Sequence, residues 1–350
     1  MGQPRFSGPT EQLRLMTWNI WGRLNQAPQY IINNKTARRR TIDNIIESNA
    51  DIIAMVETYG SAQEIAEALD FHYYTPSAQA NLAIFSRYPL SKPGTPSLLS
   101  SGSFIGVTAE LPGGSKVRIY DIWLTSAGRH IVKIKDEELL DLEFCAGDDI
   151  RHAQLQEFLG HSDLGKFLAD EDMLIIVAGD FNSVSHLDYT AETKSQNLNF
   201  GRILPIKASI AMEQSGFIDS YRFVHPKITS ETLGYTWTTV GRGFTYEEEE
   251  GFVPVEKNPE PEYQDPYARI DFIYCRGKRI KPVAAQTITH HVSNKTRSFP
   301  EFPSDHAAVV TTFEVKSSTS GTASSELITG DDGIEAAPWF VRQCYFQSRN

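Results

Sequence analysis

Cysteine is scarce in this sequence, and the three present, Cys145, Cys275 and Cys344, lie far apart. No pair has the close spacing that a zinc site or a redox motif requires, and an odd number argues against a disulfide framework. Such usage fits a reducing compartment. Long apolar runs are missing too, and no stretch approaches the ~20 residues of a membrane-spanning helix. The opening residues, MGQPRFSGPTEQ, carry no apolar segment of the kind that directs secretion. The expectation is a soluble, cytoplasmic protein, with secretion left open should a leader have been removed. An excess of positive charge is also lacking: 33 Lys and Arg stand against 44 Asp and Glu. Non-specific duplex binders draw their affinity from neutralising backbone phosphates, so this balance counts mildly against a general nucleic-acid binder.

What is present suits a folded enzyme-sized domain. The chain has 350 residues, of which 40% are hydrophobic and 22% charged, enough to bury a sizeable core. Largely apolar segments at 13–20 (LRLMTWNI), 51–56 (DIIAMV) and 173–178 (MLIIVA) read as buried strands, so helices must cover the sheet they form. Further strands are expected at 71–75, 81–87, 104–111, 116–124, 270–275 and 307–315. Helical spacing of apolar residues predicts helices over 35–48, 62–69, 150–169 and 208–216. The charged stretch 126–149 reads as a surface excursion.

Residues 1–12 read as an N-terminal extension and 13–315 as one catalytic domain. Within it, 246–267 is rich in Glu and Pro and reads as an acidic insertion. From 316 to 350 the composition shifts to SSTSGTASS and then to an aromatic end, which predicts a flexible C-terminal tail. No internal repeat is present.

Polar side chains recur where the apolar strands end or begin: Asn19, Glu57, Asp180 with Asn182, Asp271, and Asp305 with His306. Rims of layered α/β folds gather sites in this way, because rigid strands fix geometry while the open edge admits a ligand. A set of Asp, Glu and Asn oxygens is hard, which suits Mg²⁺ or Mn²⁺ better than zinc. His306 adds a group that exchanges protons near neutral pH. Together these residues fit hydrolysis of a phosphate ester.

Five blocks carry a resemblance: TWNIWG at 17–22, VET at 56–58, GDFN at 179–182, RIDFIY at 269–274 and SDHAAV at 304–309. In this order they resemble the endonuclease/exonuclease/phosphatase superfamily, which includes deoxyribonucleases, exonucleases, neutral sphingomyelinases and inositol polyphosphate phosphatases. The resemblance implies a four-layer α/β sandwich, two packed mixed β-sheets flanked by helices, with the site at one rim. It implies that Glu57 is the principal metal-binding carboxylate, that Asn19 helps to hold metal or phosphate, and that Asp305 contributes to a metal site. By the same resemblance Asp180 positions or deprotonates the attacking water and Asn182 hydrogen-bonds a phosphoryl oxygen. His306 stabilises or protonates at the scissile phosphate, and Asp271 orients its imidazole.

One position departs from the family pattern. Where relatives commonly carry N-x-H-L, this chain reads Asp121-Ile122-Trp123-Leu124, so Trp123 stands in place of a histidine. An indole cannot give up a proton usefully, although its N–H can donate a hydrogen bond. His130 and His152 are candidates to fill the gap in space.

Blander readings compete at every position. Asn19 would otherwise cap a strand end, Asp180 and Asn182 would form an Asx-turn, and Asp271 would pair with Arg269. His290 and His291 point to opposite faces of a strand and read as structural. His186 divides evenly between rim packing and substrate contact, Arg38–Arg40 read as a solvated helix face, and Trp18, Trp21, Tyr235 and Trp237 are mostly expected in the core. The expected partner is a phosphorylated substrate: a small molecule, a lipid headgroup or single-stranded nucleic acid. The sequence implies no protein partner. Duplex cleavage of the deoxyribonuclease kind is the alternative activity, and an inactive relative that only binds a phosphorylated ligand is the other.

Overall fold

A computed structural model describes residues 9–21, 35–91, 97–98, 102–127, 131, 134, 138–170, 172–237, 244–247, 251–254, 268–289 and 302–317. The chain opens with β1 (Thr10–Asn19), α1 (Lys35–Ser48), β2 (Ile52–Val56), α2 (Ala62–Leu69), β3 (His72–Tyr74) and β4 (Ala83–Ser86). Next come β5 (Leu90–Ser91), β6 (Ser97–Leu98), β7 (Ser103–Glu110), β8 (Lys116–Trp123), α3 (Asp141–Ala146), α4 (Asp149–Leu159) and α5 (Ser162–Leu168). β9 (Leu174–Asp180), α6 (Ala191–Ser195), α7 (Lys207–Gln214), β10 (Ile218–Asp219) and α8 (Ser220–Val224) follow. The hairpin β11 (Phe244–Glu247) and β12 (Gly251–Pro254) precedes β13 (Asp271–Arg276), β14 (Ile280–Ile288) and β15 (Ala308–Lys316).

Two mixed sheets pack face to face. One runs β14-β15-β1-β2-β4-β3, the other β10-β13-β9-β8-β7-β5 with β6 on β7. The pairs β1–β2 and β8–β9 are parallel, and their neighbours are antiparallel. Alternate side chains of the apolar strands serve two different cores. Leu13 and Leu15 of β1, Ile52 and Ala54 of β2, and Leu174, Ile176 and Ala178 of β9 fill the space between the sheets. Met16, Trp18, Ile53 and Met55 turn outward against Ile45 of α1 and Ile65 of α2. On the opposite outer face Ile175 and Val177 meet Leu155 and Phe158 of α4 and Met212 of α7. The result is the expected four-layer α/β sandwich.

Two readings of the sequence need correction. The helix expected over 150–169 is two helices, α4 and α5, separated at Gly160 and His161. A glycine lowers helix stability there, and the His161 side chain accepts from the Asp163 N–H to start the second helix. The stretch 126–149 is not merely a surface excursion: Ile131, Ile134, Phe144 and Cys145 are buried in the core beneath α4. Of the acidic insertion at 246–267, the described part pairs in the β11–β12 hairpin, while the rest lies outside the described residues. His130, His290, His291, residues 1–8 and the tail beyond Ser317 also lie outside them.

Candidate active site

Strand alternation delivers the site. Counting by two from Leu13 and Leu15 brings Asn19 to the inner face at the end of β1, and from Leu174, Ile176 and Ala178 it brings Asp180 to the end of β9. Ile273 and Cys275 face the same inner core, which turns Asp271 inward at the start of β13. Glu57 follows the last residue of β2 with φ +64°, Asn182 has φ +46° and Trp21 φ +57°. Non-glycine residues enter this left-handed region at a cost, and such outliers gather at functional sites. The Asn81 side-chain carbonyl accepts from the Glu57 N–H at 2.6 Å and fixes that turn.

The side chains then interlock. Asn19 Nδ2 donates to Glu57 Oε1 at 3.2 Å and to Asp180 Oδ2 at 3.1 Å, while Asn19 Oδ1 accepts from the Trp21 N–H at 2.9 Å. The Asn182 N–H donates to Asp180 Oδ1 at 2.8 Å, and its side-chain amide donates to Asp180 Oδ2 at 3.0 Å and to the Leu124 carbonyl at 2.9 Å. Across the rim His306 Nδ1 meets Asp271 Oδ2 at 2.9 Å. Potential ligand atoms of Asp180, Asp271 and His306 all lie within 4.8 Å of one another. Asp305 sits beside them, its Oδ1 4.0 Å from His306 Nε2 and its Oδ2 accepting from Trp237 Nε1 at 3.2 Å. Every residue read from the five blocks is therefore at one rim.

Burial leaves this charged cluster with little water to screen it. Asp180 is 1% exposed, and burial together with the neighbouring Asp271 pushes its carboxyl up to about 7, against the opposing pull of His306. Burial alone would discharge His306. The Asp271 and Asp305 carboxylates override it and raise the imidazole to about 10, so the ring is charged at neutral pH. Burial likewise raises Asp305. Asp271 Oδ1 and Asp305 Oδ1 are shielded from solvent and have no hydrogen-bond partner among the described residues. Crowded carboxylate oxygens without donors are what a hard divalent cation satisfies, and this donor set fits Mg²⁺ or Mn²⁺.

Supporting residues escaped the sequence reading. Ser304 Oγ donates to the Asn19 carbonyl at 2.6 Å and accepts from the His306 N–H at 3.0 Å, tying the end of β1 to the segment that leads into β15, its neighbour in the same sheet. Thr236 Oγ1 accepts from the N–H groups of Ile270 and Asp271, at 3.0 and 3.2 Å. Ser304 lies inside the SDHAAV block and Thr236 inside YTW, so their positions were visible although their roles were not. Behind the site, Asp188 bridges Arg269 (2.9 Å) and Arg222, and Arg269 also pairs with Asp219 (2.7 Å), all four buried.

Trp123 does not lie in the outer core. It packs against the inter-sheet cluster, directly across the ladder from Asp180. Of the two candidate substitutes, His130 lies outside the described residues, and His152 pairs with Gln156 at 3.2 Å on the exposed side of α4. His186 is held by Ser209 and Glu213, at 2.8 and 3.1 Å, in a packing role against α7.

Comparison with known proteins agrees with this architecture. The profile of the Endonuclease/Exonuclease/phosphatase family matches residues 16–306. An uncharacterized Caenorhabditis elegans protein is 29% identical over 310 residues, covering 85% of this chain and 90% of that one. The human Nocturnin catalytic domain, solved with a bound sulfate anion, superposes with a TM-score of 0.54 at 15% identity, covering 88% of this chain and 98% of that one. For D. rerio TDP2 complexed with a single-strand DNA product the TM-score is 0.51 at 15% identity, with 86% and 98% covered. At such identities the two solved structures speak to the fold.

Proposed function

Because the chain belongs to the endonuclease/exonuclease/phosphatase family, we propose that it hydrolyses a phosphodiester of a small molecule, lipid headgroup or single-stranded nucleic acid, with Mg²⁺ or Mn²⁺ as cofactor. The family's phosphoesterases and nucleases support the general activity, a hydrolase of phosphate ester bonds. One observation carries the reading: the acidic groups and the histidine converge in a buried cluster, Asp180, Asp271 and His306 within 4.8 Å, from separate strands.

Glu57, with Asp271 and Asp305 nearby, would hold the cation, and Asn19 would brace Glu57 against Asp180 through its amide. A bound divalent cation supplies charge neutralisation for the phosphoryl oxygens. Asp180, with its raised affinity for protons, would orient the attacking water and accept its proton. Asn182 would donate to a non-bridging oxygen as charge develops there. His306, kept charged by Asp271, would present Nε2–H to the phosphoryl group as electrostatic stabiliser or acid.

The test is a screen of phosphodiesters with wild type and Asp180→Ala side by side, with and without EDTA. Hydrolysis lost on chelation, restored by Mg²⁺ or Mn²⁺ and absent from the variant is the expected result. Turnover persisting in excess chelator would overturn the metal assignment. Brisk nicking of supercoiled plasmid, abolished by Asp180→Ala, would replace the proposed substrate range by a deoxyribonuclease-like one.

A further inference from the structure

The start of α4 directs three polar side chains into the protein instead of out to solvent. Asp148, just ahead of the helix, Arg151 and Gln154 follow one another every three residues along one face, and all three are buried. Gln154 Oε1 accepts from the Thr125 N–H at 3.0 Å. Arg151 donates from Nη2 to the Ala127 carbonyl and from Nη1 to the Gly147 carbonyl, both at 2.8 Å. Asp148 Oδ1 accepts from Ser183 Oγ at 2.6 Å, and its Oδ2 accepts from the Ala208 N–H at 3.2 Å.

Buried polar side chains on a helix have an ordinary role, which is to satisfy the backbone groups of the loops they cover. Here the loop that they cover touches the site. The Thr125 N–H that Gln154 holds and the Leu124 carbonyl belong to one planar peptide unit. The carbonyl side of that unit accepts from Asn182 Nδ2 at 2.9 Å, and the Leu124 N–H donates to the Asp180 carbonyl at 3.0 Å. Gln154 therefore fixes the plane on which the Asn182 amide hangs. With Nδ2 bonded to Leu124 and to Asp180 Oδ2, the amide shows the rim its donor edge. A half-turn of the same amide would present its oxygen, which repels a phosphoryl group. The backbone of Asn182, at φ +46°, is held as well, because the next residue, Ser183, is bonded to Asp148.

Resting on the phosphodiesterase reading above, we propose that Gln154 is a positioning residue for the reaction. Through the Leu124–Thr125 peptide it keeps the donor edge of Asn182 aimed at the phosphoryl oxygen, while Asp148 steadies the same residue through Ser183. Gln154 touches neither substrate nor cation. Hydrogen bonds at the two ends of one peptide strengthen each other, so the bond to Gln154 makes the Leu124 carbonyl a better acceptor for Asn182. The donor edge gains most as charge builds on the phosphoryl oxygen, so the brace acts on kcat and leaves KM alone.

The experiment is a double-mutant cycle on the full chain in Mg²⁺, with a phosphodiester that wild type hydrolyses. Gln154→Met keeps the side chain's length and removes the acceptor. It should lower kcat about 10- to 100-fold with KM unchanged, and Gln154→Glu, which keeps an acceptor oxygen, should recover part of the loss. Asn182→Ala should cost about 10²–10³ in wild type and much less in the Gln154→Met background, because Gln154 acts through Asn182. Additive losses, or an unchanged kcat in folded Gln154→Met, would overturn the proposal. Should neither Gln154 variant fold, Ser183→Ala, which releases Asn182 from Asp148, carries the same two expectations and the same refutation. The side-chain amide resonance of Asn182, identified by its loss in Asn182→Asp, gives a readout independent of turnover. Its hydrogens should exchange with solvent faster in Gln154→Met than in wild type, and equal exchange overturns the brace. If wild type hydrolyses no phosphodiester while the exchange rates differ, the bracing of Asn182 stands and the phosphodiesterase reading alone fails.

Discussion

Gly179 shows how tightly the GDFN turn is built. A Cβ added there would lie 1.9 Å from the Ile122 carbonyl oxygen, and its φ of +142° suits no other residue well. The close approach of β8 and β9 that places Trp123 beside Asp180 therefore requires glycine. Gly179→Ala is expected to lower the urea midpoint sharply or to abolish soluble expression; a variant melting with wild type would show that the turn can open without harm. His306 makes a functional prediction at the same scale. His306→Ala should cut the rate by on the order of 10²–10⁴. Asp271→Asn, which keeps a partner for the ring but removes the charge that holds it protonated, should cost less. If the two variants were equally impaired, Asp271 would be doing more than orienting the histidine. Both tests are steady-state assays on a single phosphodiester.

At the scale of elements, the site depends on how the loop after β9 is fastened to β13. Asp188 closes that loop onto Arg269, two residues before Asp271, and onto Arg222 of α8. Burial alone would raise its carboxyl, yet the Arg269 and Arg222 guanidinia hold it below the usual range. Removing one member of a buried ion network strands the others without a counter-charge, so Asp188→Ala is expected to cost about 3–5 kcal/mol in chemical denaturation. A loss under ~1 kcal/mol, the value of a surface pair, would mean that water reaches the guanidinia. The sequence made some elements plain and hid others for the same physical reason. β1, β2 and β9 are buried on both faces, so their apolar runs are continuous and their polar ends stand out. β14 lies at the edge of its sheet with only Ile280, Pro282 and Ile288 buried, and its KPVAAQT interior carries no strand signal. The blocks at strand ends therefore revealed Asn19, Glu57, Asp180 and Asp271. Asn81, Thr236 and Ser304 act from loops, where no periodicity marks which hydroxyl or amide will meet a distant backbone.

For the whole molecule, the balance of buried acids sets a pH dependence. Burial raises Asp148 to about 6, against the Ser183 hydroxyl and the Ala208 N–H, and raises Asp180 to about 7. It lifts Asp121, between the sheets, well above its ordinary value, and Asp305 as well. Each of these groups binds its proton more tightly folded than unfolded. From the ordinary value of 3.8 up to about 7, the folded chain therefore holds protons that the unfolded chain has released, and their combined effect is that stability falls as pH rises through that window. Asp188 works oppositely: its contribution is present above its unfolded value and is lost as pH falls through the folded one. A divalent cation at the rim would offset the charge that Asp180 and Asp305 acquire on ionising, so its stabilising effect must grow as those groups ionise. Thermal melts of the chelated protein with and without Mg²⁺ should thus show little shift near pH ~5 and a clear one near pH ~8, about 2.7 kcal/mol when free ion exceeds its Kd by roughly 100-fold. Asp180→Ala and Asp271→Asn should shrink the shift at about pH 8, whereas Asp148→Asn, whose carboxylate is bonded to Ser183 and Ala208 and not to the acidic cluster, should leave it intact while flattening the background slope. A Mg²⁺ shift of equal size at both pH values would place the cation on exposed carboxylates instead, because those ionise in the folded and unfolded chain alike.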